Sequence, residues 1–418
     1  MSGAPRDRVA IIGAGYAGMA AAVALAERGV AVEVFEAGPV PGGRARRVRA
    51  RGRTFDNGQH LLVGAYRELL RLMRTVGVPE DALLRRPLEL CYARGFALRA
   101  LPLPAPLGLL GGLLLARGAP LSERIGAVRF MRAMRAQGFR LSEDCSVAAL
   151  LARHGQLGHI GHYLWTALCI AALNIAPAQA SASAFLAVLR DTLEGAPGAS
   201  DLLLPRIDLS RLFPEPAAAF VTARGGRVHL RSPVRDLEAL RKRFAAIVVA
   251  VGPHQLPALA PALAFAASYE PIVTVYLQFT ERLRLARPML GLDGGLVQWV
   301  FDRDRLCDEP GHLACVISAQ GPHTALAHEA LAARCAQELR AALPGLPPLR
   351  GAQVIAEKRA TVACTPGAAR PGTRTPLERV YRAGDYTDPE YPPTLEAAAR
   401  SGLRAAQAVI EDAGRAPA

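Results

Sequence analysis

Val9-Ala10-Ile11-Ile12-Gly13-Ala14-Gly15-Tyr16-Ala17-Gly18 decides the fold. The four apolar residues read as a short buried strand, and the glycines follow at once. Gly13 permits a tight turn after the strand. Gly15 lets backbone N–H groups approach a pyrophosphate, and Gly18 lets the next helix pack closely on the sheet. Tyr16–Arg28 reads as that helix, closed by Gly29, and Val30–Phe35 as a second strand. The unit is a compact βαβ, with Tyr16 and Ala17 in the first turn of a helix whose positive dipole end faces the phosphates. Glu36 stands where a carboxylate accepts hydrogen bonds from the adenosine ribose. A glycine-rich turn with no ligand is the plain alternative. The strand before, the helix after and the acid at the right distance argue for a dinucleotide.

Two further stretches extend this reading. Gly42-Gly43-Arg44 follows Glu36 closely, and a nicotinamide enzyme has no need of it. Arg44 is a forked, charge-assisted donor suited to a diphosphate, and Gly43 supplies an unobstructed amide. Near the C-terminus, Tyr381-Arg382-Ala383-Gly384-Asp385 reads as a strand ending in a glycine and an acid. Tyr391-Pro392-Pro393-Thr394-Leu395-Glu396 then leads into a helix from about Thr394. Asp385 is placed to reach the ribityl or diphosphate part of a flavin. The amides of Thr394 and Leu395 are placed to face the flavin N1 and O2 region, where a helix N-terminus favours the anionic reduced form. The paired segments predict FAD, with Gly58 and Val234 among the expected contacts.

The expected fold is α/β: a discontinuous Rossmann-like FAD-binding domain with an inserted α+β substrate domain, arranged as in amine oxidases. The cofactor domain is placed at residues 1–90, 211–265 and 370–418, and the substrate domain at 91–210 and 266–369. Residues near 120–195 look mainly helical. Val228–Leu230, Ile247–Val251, Val273–Phe279, Leu313–Ala319 and Val380–Ala383 have strand character. Leu326–Leu343 suits an amphipathic helix through Leu331, Cys335 and Leu339.

The chain has 418 residues, with 50 Lys+Arg against 36 Asp+Glu and a formal net charge of +14. Lys242 and Lys358 are its only lysines, so the charge is nearly all arginine. It is either a compositional bias or an attraction to an anionic surface. The arginines are scattered without interleaved aromatics, which argues against nucleic acid. The seven cysteines form no CxxC pair, which argues against a disulfide framework or metal site and fits a reducing compartment. No signal peptide is expected. The most apolar stretch, Leu101–Leu115, is too short to cross a bilayer, and Pro102, Pro104 and Pro106 break it as a helix. A cytoplasmic protein is expected, with peripheral contact on the inner face of the cytoplasmic membrane left open.

The flavin segments resemble the amine oxidase and phytoene desaturase superfamily. Phe55-Asp56-Asn57-Gly58-Gln59-His60, Ala172-Leu173-Asn174, Ser200-Asp201-Leu202-Leu203-Leu204-Pro205 and Arg400-Ser401-Gly402 narrow the likeness to the squalene-associated FAD-dependent desaturases, or hydroxysqualene dehydroxylases. The resemblance runs nearly end to end. Pro393 departs from it, where Ala is expected. It implies a flavin enzyme of squalene and hopanoid biosynthesis that removes the hydroxyl of hydroxysqualene with a hydride from reduced FAD, giving squalene. The electron donor stays open. A carotenoid-type desaturase, an amine oxidase and a non-catalytic flavoprotein lipid carrier remain as rivals.

Gln59 and His60 are the catalytic candidates, on the loop that approaches the flavin face in related folds. His60 suits proton donation to the leaving hydroxyl and Gln59 its orientation; the alternative is that both only brace the loop. Asp56 reads as a turn carboxylate and Asn174 as a core hydrogen-bonding group. Leu101–Leu115 with Arg124, Arg129, Arg132 and Arg135 suits a membrane-contacting entrance. The stripe Leu121, Ile125, Val128, Met131 is broken by Arg132 and Arg135.

Overall fold

The computed structural model describes residues 8–103, 106–193 and 195–414. Five strands build one parallel sheet, in the spatial order Arg227–His229, Ala31–Phe35, Arg8–Ile12, Ala246–Val249 and Val380–Arg382. Ile11 lies opposite Val34 on one side and Val248 on the other. A parallel strand in this central position is covered on both faces, which is why Arg8–Ile12 is nearly all apolar. Helices Tyr16–Glu27 and Leu395–Ala413 pack together over one face. Their approach is close: a Cβ on Gly402 would stand 2.2 Å from the Ala17 carbonyl oxygen. The other face is covered by Leu237, Leu240, Phe244, Leu256 and Tyr386. The sheet draws its strands from three distant stretches of the chain.

A second, antiparallel sheet runs in the order Met289–Gly291, Trp299–Asp302, His312–Ser318, Tyr269–Phe279 and Leu349–Val362. Val273, Val275, Leu277, Leu313 and Cys315 turn one face toward helix His328–Ala342, which meets them with Leu331, Cys335 and Leu339. Tyr276, Ala314, Val316 and Phe301 turn the other face toward a helical layer. That layer comprises Leu121–Ala136, Val147–Arg153, a single π-helical turn at Gly161–Thr166, Ala167–Leu173 and Ala182–Leu193. The strand Leu202–Pro205 lies between the two cores: Leu203 packs under the parallel sheet, and Leu202 and Leu204 pack into the helical layer.

Leu349–Val362 is the longest strand of the second sheet, although Val354-Ile355 and Thr361-Val362 are its main strand-forming residues. Its Ala, Glu, Lys and Arg residues favour helix. The order comes from its partner, with which it pairs from Leu349–Phe279 to Val362–Tyr269. Helix Leu107–Leu114 starts directly after Pro106. Pro104 lies outside the described residues. Among the described residues no helix is long and apolar enough to cross a membrane.

Candidate functional site

The turn after the first strand is closed to any side chain at two positions. Gly13 has φ +101°, and a Cβ there would stand 2.6 Å from the Ala250 carbonyl oxygen. A Cβ on Gly18 would stand 1.9 Å from the Gly13 carbonyl oxygen. Gly15 instead faces the second glycine turn, where Gly43 has φ +62°. Gly42 N–H donates to the Ala14 carbonyl at 2.8 Å, so the two turns lie against each other. Helix Tyr16–Glu27 begins with Gly15 extended, with no capping side chain and no acid in its first turn. Its positive end is left for an anion. The Tyr16 side chain points the other way: its hydroxyl donates to the Leu209 carbonyl at 2.9 Å and its ring packs 5.5 Å from Phe213. Ala17 is buried as well, so these two residues offer the site only backbone.

Glu36 braces the same turn. Its Oε2 accepts the Ala14 N–H at 2.8 Å and its Oε1 the Gly38 N–H at 2.7 Å. Ser232 N–H donates to the Glu36 carbonyl at 2.8 Å, which brings the half-buried Val234 to this end of the sheet. Arg44 Nη2 lies 2.6 Å from Asp385 Oδ1, and its Nη1 donates to the Ala360 carbonyl at 2.8 Å. Gly384 N–H donates to Ser401 Oγ at 2.9 Å, anchoring the acid-bearing turn to the C-terminal helix. Thr394 caps that helix by accepting the Ala397 N–H at 3.1 Å, and Leu395 is its first residue. Glu396 beside them is fully buried. It accepts the N–H groups of Glu68 and Leu69 and pairs with Arg400 at 2.9 Å. A cavity of about 570 Å³ lined by Tyr269, Ala356, Glu357, Lys358 and Arg359 adjoins this region. Asn57 Nδ2 bridges from the Arg44 carbonyl to Glu357 Oε2 at its edge.

A description of flavin-containing amine oxidoreductases matches residues 16–410. The chain belongs to the flavin-containing amine oxidoreductase family. This family member is 31% identical to the hydroxysqualene dehydroxylase of Rhodopseudomonas palustris, over 98% of this chain and 99% of that one. It is 25% identical to a probable zeta-carotene desaturase of Synechococcus elongatus, over 97% of this chain and 98% of that protein. The structure of an oxidoreductase from Methanosarcina mazei superposes with a TM-score of 0.73 at 16% identity, covering 97% of this chain and all of the other. The chain is thus an FAD-dependent oxidoreductase. The glycine cradle that a Cβ would fill, the uncapped helix start and the Arg44–Asp385 pair fit that cofactor.

The loop carrying the catalytic candidates is tied to the second sheet. Gly58 has φ +96°. Gln59 N–H donates to Thr274 Oγ1 at 3.1 Å. Both ends of the Gln59 side chain bond within the protein: Nε2 donates to the His60 carbonyl at 3.2 Å and Oε1 accepts from Arg303 Nη1 at 2.9 Å. Gln59 therefore braces the loop through both ends of its amide. His60 Nδ1 lies 2.8 Å from the Gly58 carbonyl, an acceptor only, so Nδ1 carries the proton and Nε2 is the free ring nitrogen. Burial depresses the His60 pKa below the ordinary imidazole value and the Arg44 charge adds to this, against the Gly58 hydrogen bond.

Asp56 is not a local turn residue. It ends the strand Arg53–Asp56, and its Oδ1 accepts the Leu209 N–H at 2.8 Å, 153 residues away. Burial pushes its carboxyl up to about 7, although Arg303 pulls the other way. Asn174 serves the core: Oδ1 accepts the Ala319 N–H, and Nδ2 reaches Thr361 Oγ1 and the Glu270 and Pro271 carbonyls. The sequence reading missed Arg303. In Asp302-Arg303-Asp304-Arg305 it looks like one charge of a solvated run, yet it is only 5% exposed.

Proposed function

We propose that this enzyme removes the hydroxyl group of hydroxysqualene reductively and forms squalene. One structural observation carries the reading beyond the full-length likeness to a hydroxysqualene dehydroxylase. Ile272, Trp299 and Ile355 on the inner face of the second sheet, and Leu168, Ala172 and Tyr163 on the helices opposite, all keep partial exposure between two packed layers. Thr274, which holds the Gln59 amide, lies in the row of Ile355, Val316 and Trp299 across that sheet. These partly exposed apolar side chains, near the Thr274–Gln59 contact, are proposed to line the path of a long hydrocarbon.

In the reaction a C–O bond breaks, a C–H bond forms at the same carbon, and one hydride and one proton enter as water leaves. Bound FAD, in its reduced form, would supply the hydride, with an external reductant regenerating it. His60, its ring fixed through Nδ1, is assigned to protonate the departing hydroxyl from Nε2. Apolar side chains around the cationic carbon would keep bulk water from it.

A C30 hydrocarbon resides in lipid, and the helical layer offers a surface to meet it. Leu103, Leu107, Leu114, Leu115 and Leu121 are 41–66% exposed together, with Arg117, Arg129 and Arg132 exposed nearby. This patch is proposed to rest on the inner face of the cytoplasmic membrane.

The test is incubation of the pure, reduced protein with hydroxysqualene in heavy water, followed by mass analysis of the lipid. Exchange labels the transferable flavin hydrogen, so one deuterium is expected in squalene at the former carbinol carbon. An oxidised polyene in place of labelled squalene would make the enzyme a desaturase and overturn the reading.

A further inference from the structure

Arg303, the first residue of the short helix Arg303–Cys307, is a cation buried between the two halves of the molecule. Its Nε and Nη2 form a fork on Glu309, at 3.0 and 2.6 Å. Nη1 donates to Gln59 Oε1 at 2.9 Å and stands 3.8 Å from Asp56 Oδ2. The guanidinium carbon lies 5.8 Å from the centre of the Tyr276 ring, whose hydroxyl donates to the Asp56 carbonyl at 3.1 Å. From Asp56 the network continues through the Leu209 N–H to the Leu209 carbonyl and the Tyr16 hydroxyl. It therefore runs from the loop of His60 to the first residue of the dinucleotide helix.

Burying a guanidinium is costly unless every donor finds a partner, and apolar packing of the same volume is often as stable or more so. What such a network supplies is fixed geometry. Gln59 has one side-chain acceptor atom, and Arg303 donates to it. The Gln59 Nε2 contact to the His60 carbonyl then sets where the next residue sits.

We infer that Arg303 is a positioning residue, acting through Gln59 to hold His60 at the reacting centre. The inference rests on the proposed dehydroxylation for its kinetic readout, and on the bound flavin's spectrum for a readout that needs no substrate. The variant R303Q/E309Q removes both charges of the fork together, and Asp56, which loses its nearby cation, keeps the Leu209 N–H; Gln59→Leu removes the acceptor; a triple variant combines them. All should bind one FAD per chain. R303Q/E309Q and Gln59→Leu should each change the visible circular dichroism of the flavin in the same sense and lower kcat about a hundredfold, the scale of a 1 Å misplacement, with KM little changed. The triple variant should be no slower than either, because the two act on one contact. Losses that multiply in the triple variant, or a flavin spectrum untouched by R303Q/E309Q, would overturn the inference. Should R303Q/E309Q fail to fold, Arg303→Lys keeps the charge beside Glu309 but lacks the fork. It should show the same loss of kcat, and full activity there would overturn the inference too. If wild type leaves hydroxysqualene unchanged while the spectral changes are shared, the substrate assignment falls and the positioning role stands.

Discussion

Arg44 Nη2 and Asp385 Oδ1 lie 2.6 Å apart across 341 residues of sequence. This ion pair joins the glycine loop after the second strand to the turn that leads into the C-terminal helix. It places the two halves of the flavin site against each other before any ligand contributes. Asp385 is only 6% exposed, so the pair is poorly screened and its geometry is well defined. A phosphate approaching Arg44 meets a guanidinium already oriented by a carboxylate and by the Ala360 carbonyl.

The protein should purify yellow with one FAD per chain, and two glycine variants should separate binding from folding. A Cβ on Gly15 has nothing nearer than the Gly43 Cα at 3.8 Å, so Gly15→Val should fold yet remain colourless, its side chain occupying the pyrophosphate's place. Gly18→Ala would drive a methyl group to 1.9 Å from the Gly13 carbonyl oxygen and should yield no soluble folded protein. Absorbance at the flavin bands together with far-ultraviolet circular dichroism distinguishes the two outcomes. A yellow Gly15→Val protein would contradict the assigned cradle.

Glu36→Ala should weaken FAD binding by about 1–3 kcal/mol, the scale of a lost charge-assisted hydrogen bond. Two effects act together: a ribose acceptor is lost, and the Ala14 and Gly38 N–H groups lose the carboxylate that braces them. Titration of apoprotein with FAD measures this, and wild-type affinity would refute the role.

Activity should rise as pH falls. Burial holds the His60 pKa below its ordinary value of 6.5, so the ring is mainly neutral at pH 7 and its protonated fraction grows with acidity. A proton donor therefore gives a kcat that increases from pH 8 downward and levels off only below the depressed pKa. The same shift has the opposite effect on stability. The unfolded chain binds the proton more readily, so folding loses stability as pH drops below 6.5. His60→Ala should lower kcat by about a hundredfold or more and flatten the profile, with FAD retained. An unchanged profile in that variant would move the proton donor elsewhere.

Flotation with anionic liposomes should carry the protein upward at low ionic strength and less so at high salt, since exposed arginines are screened by ions. Leu107→Ser with Leu115→Ser should reduce flotation at both ionic strengths, because these residues are 58% and 66% exposed and form part of the apolar patch. No flotation at low salt would show that the net charge of +14 is compositional.

The sequence by itself determined the dinucleotide turn, because the glycines there answer to local sterics. The turn φ at Gly13 and the helix approach at Gly18 tolerate no Cβ whatever the rest of the chain does. The central parallel strands Arg8–Ile12 and Ala246–Val249 were legible for a similar reason: strands covered on both faces are nearly all apolar. The C-terminal helix was legible from Pro392-Pro393 leading into Thr394, and the structure adds that Thr394 caps it. Tertiary structure alone decided the rest. Leu349–Val362 became a strand against its own composition because Tyr269–Phe279 supplied a long partner. Asp56 became a long-range acceptor, and Gln59 turned its amide inward, because Leu209 and Arg303 arrive from distant parts of the chain. Arg303 itself sits in a run of alternating charges that reads as solvated surface. Burial and partnership are properties of the packed molecule, and no local pattern encodes which one of several arginines will be enclosed.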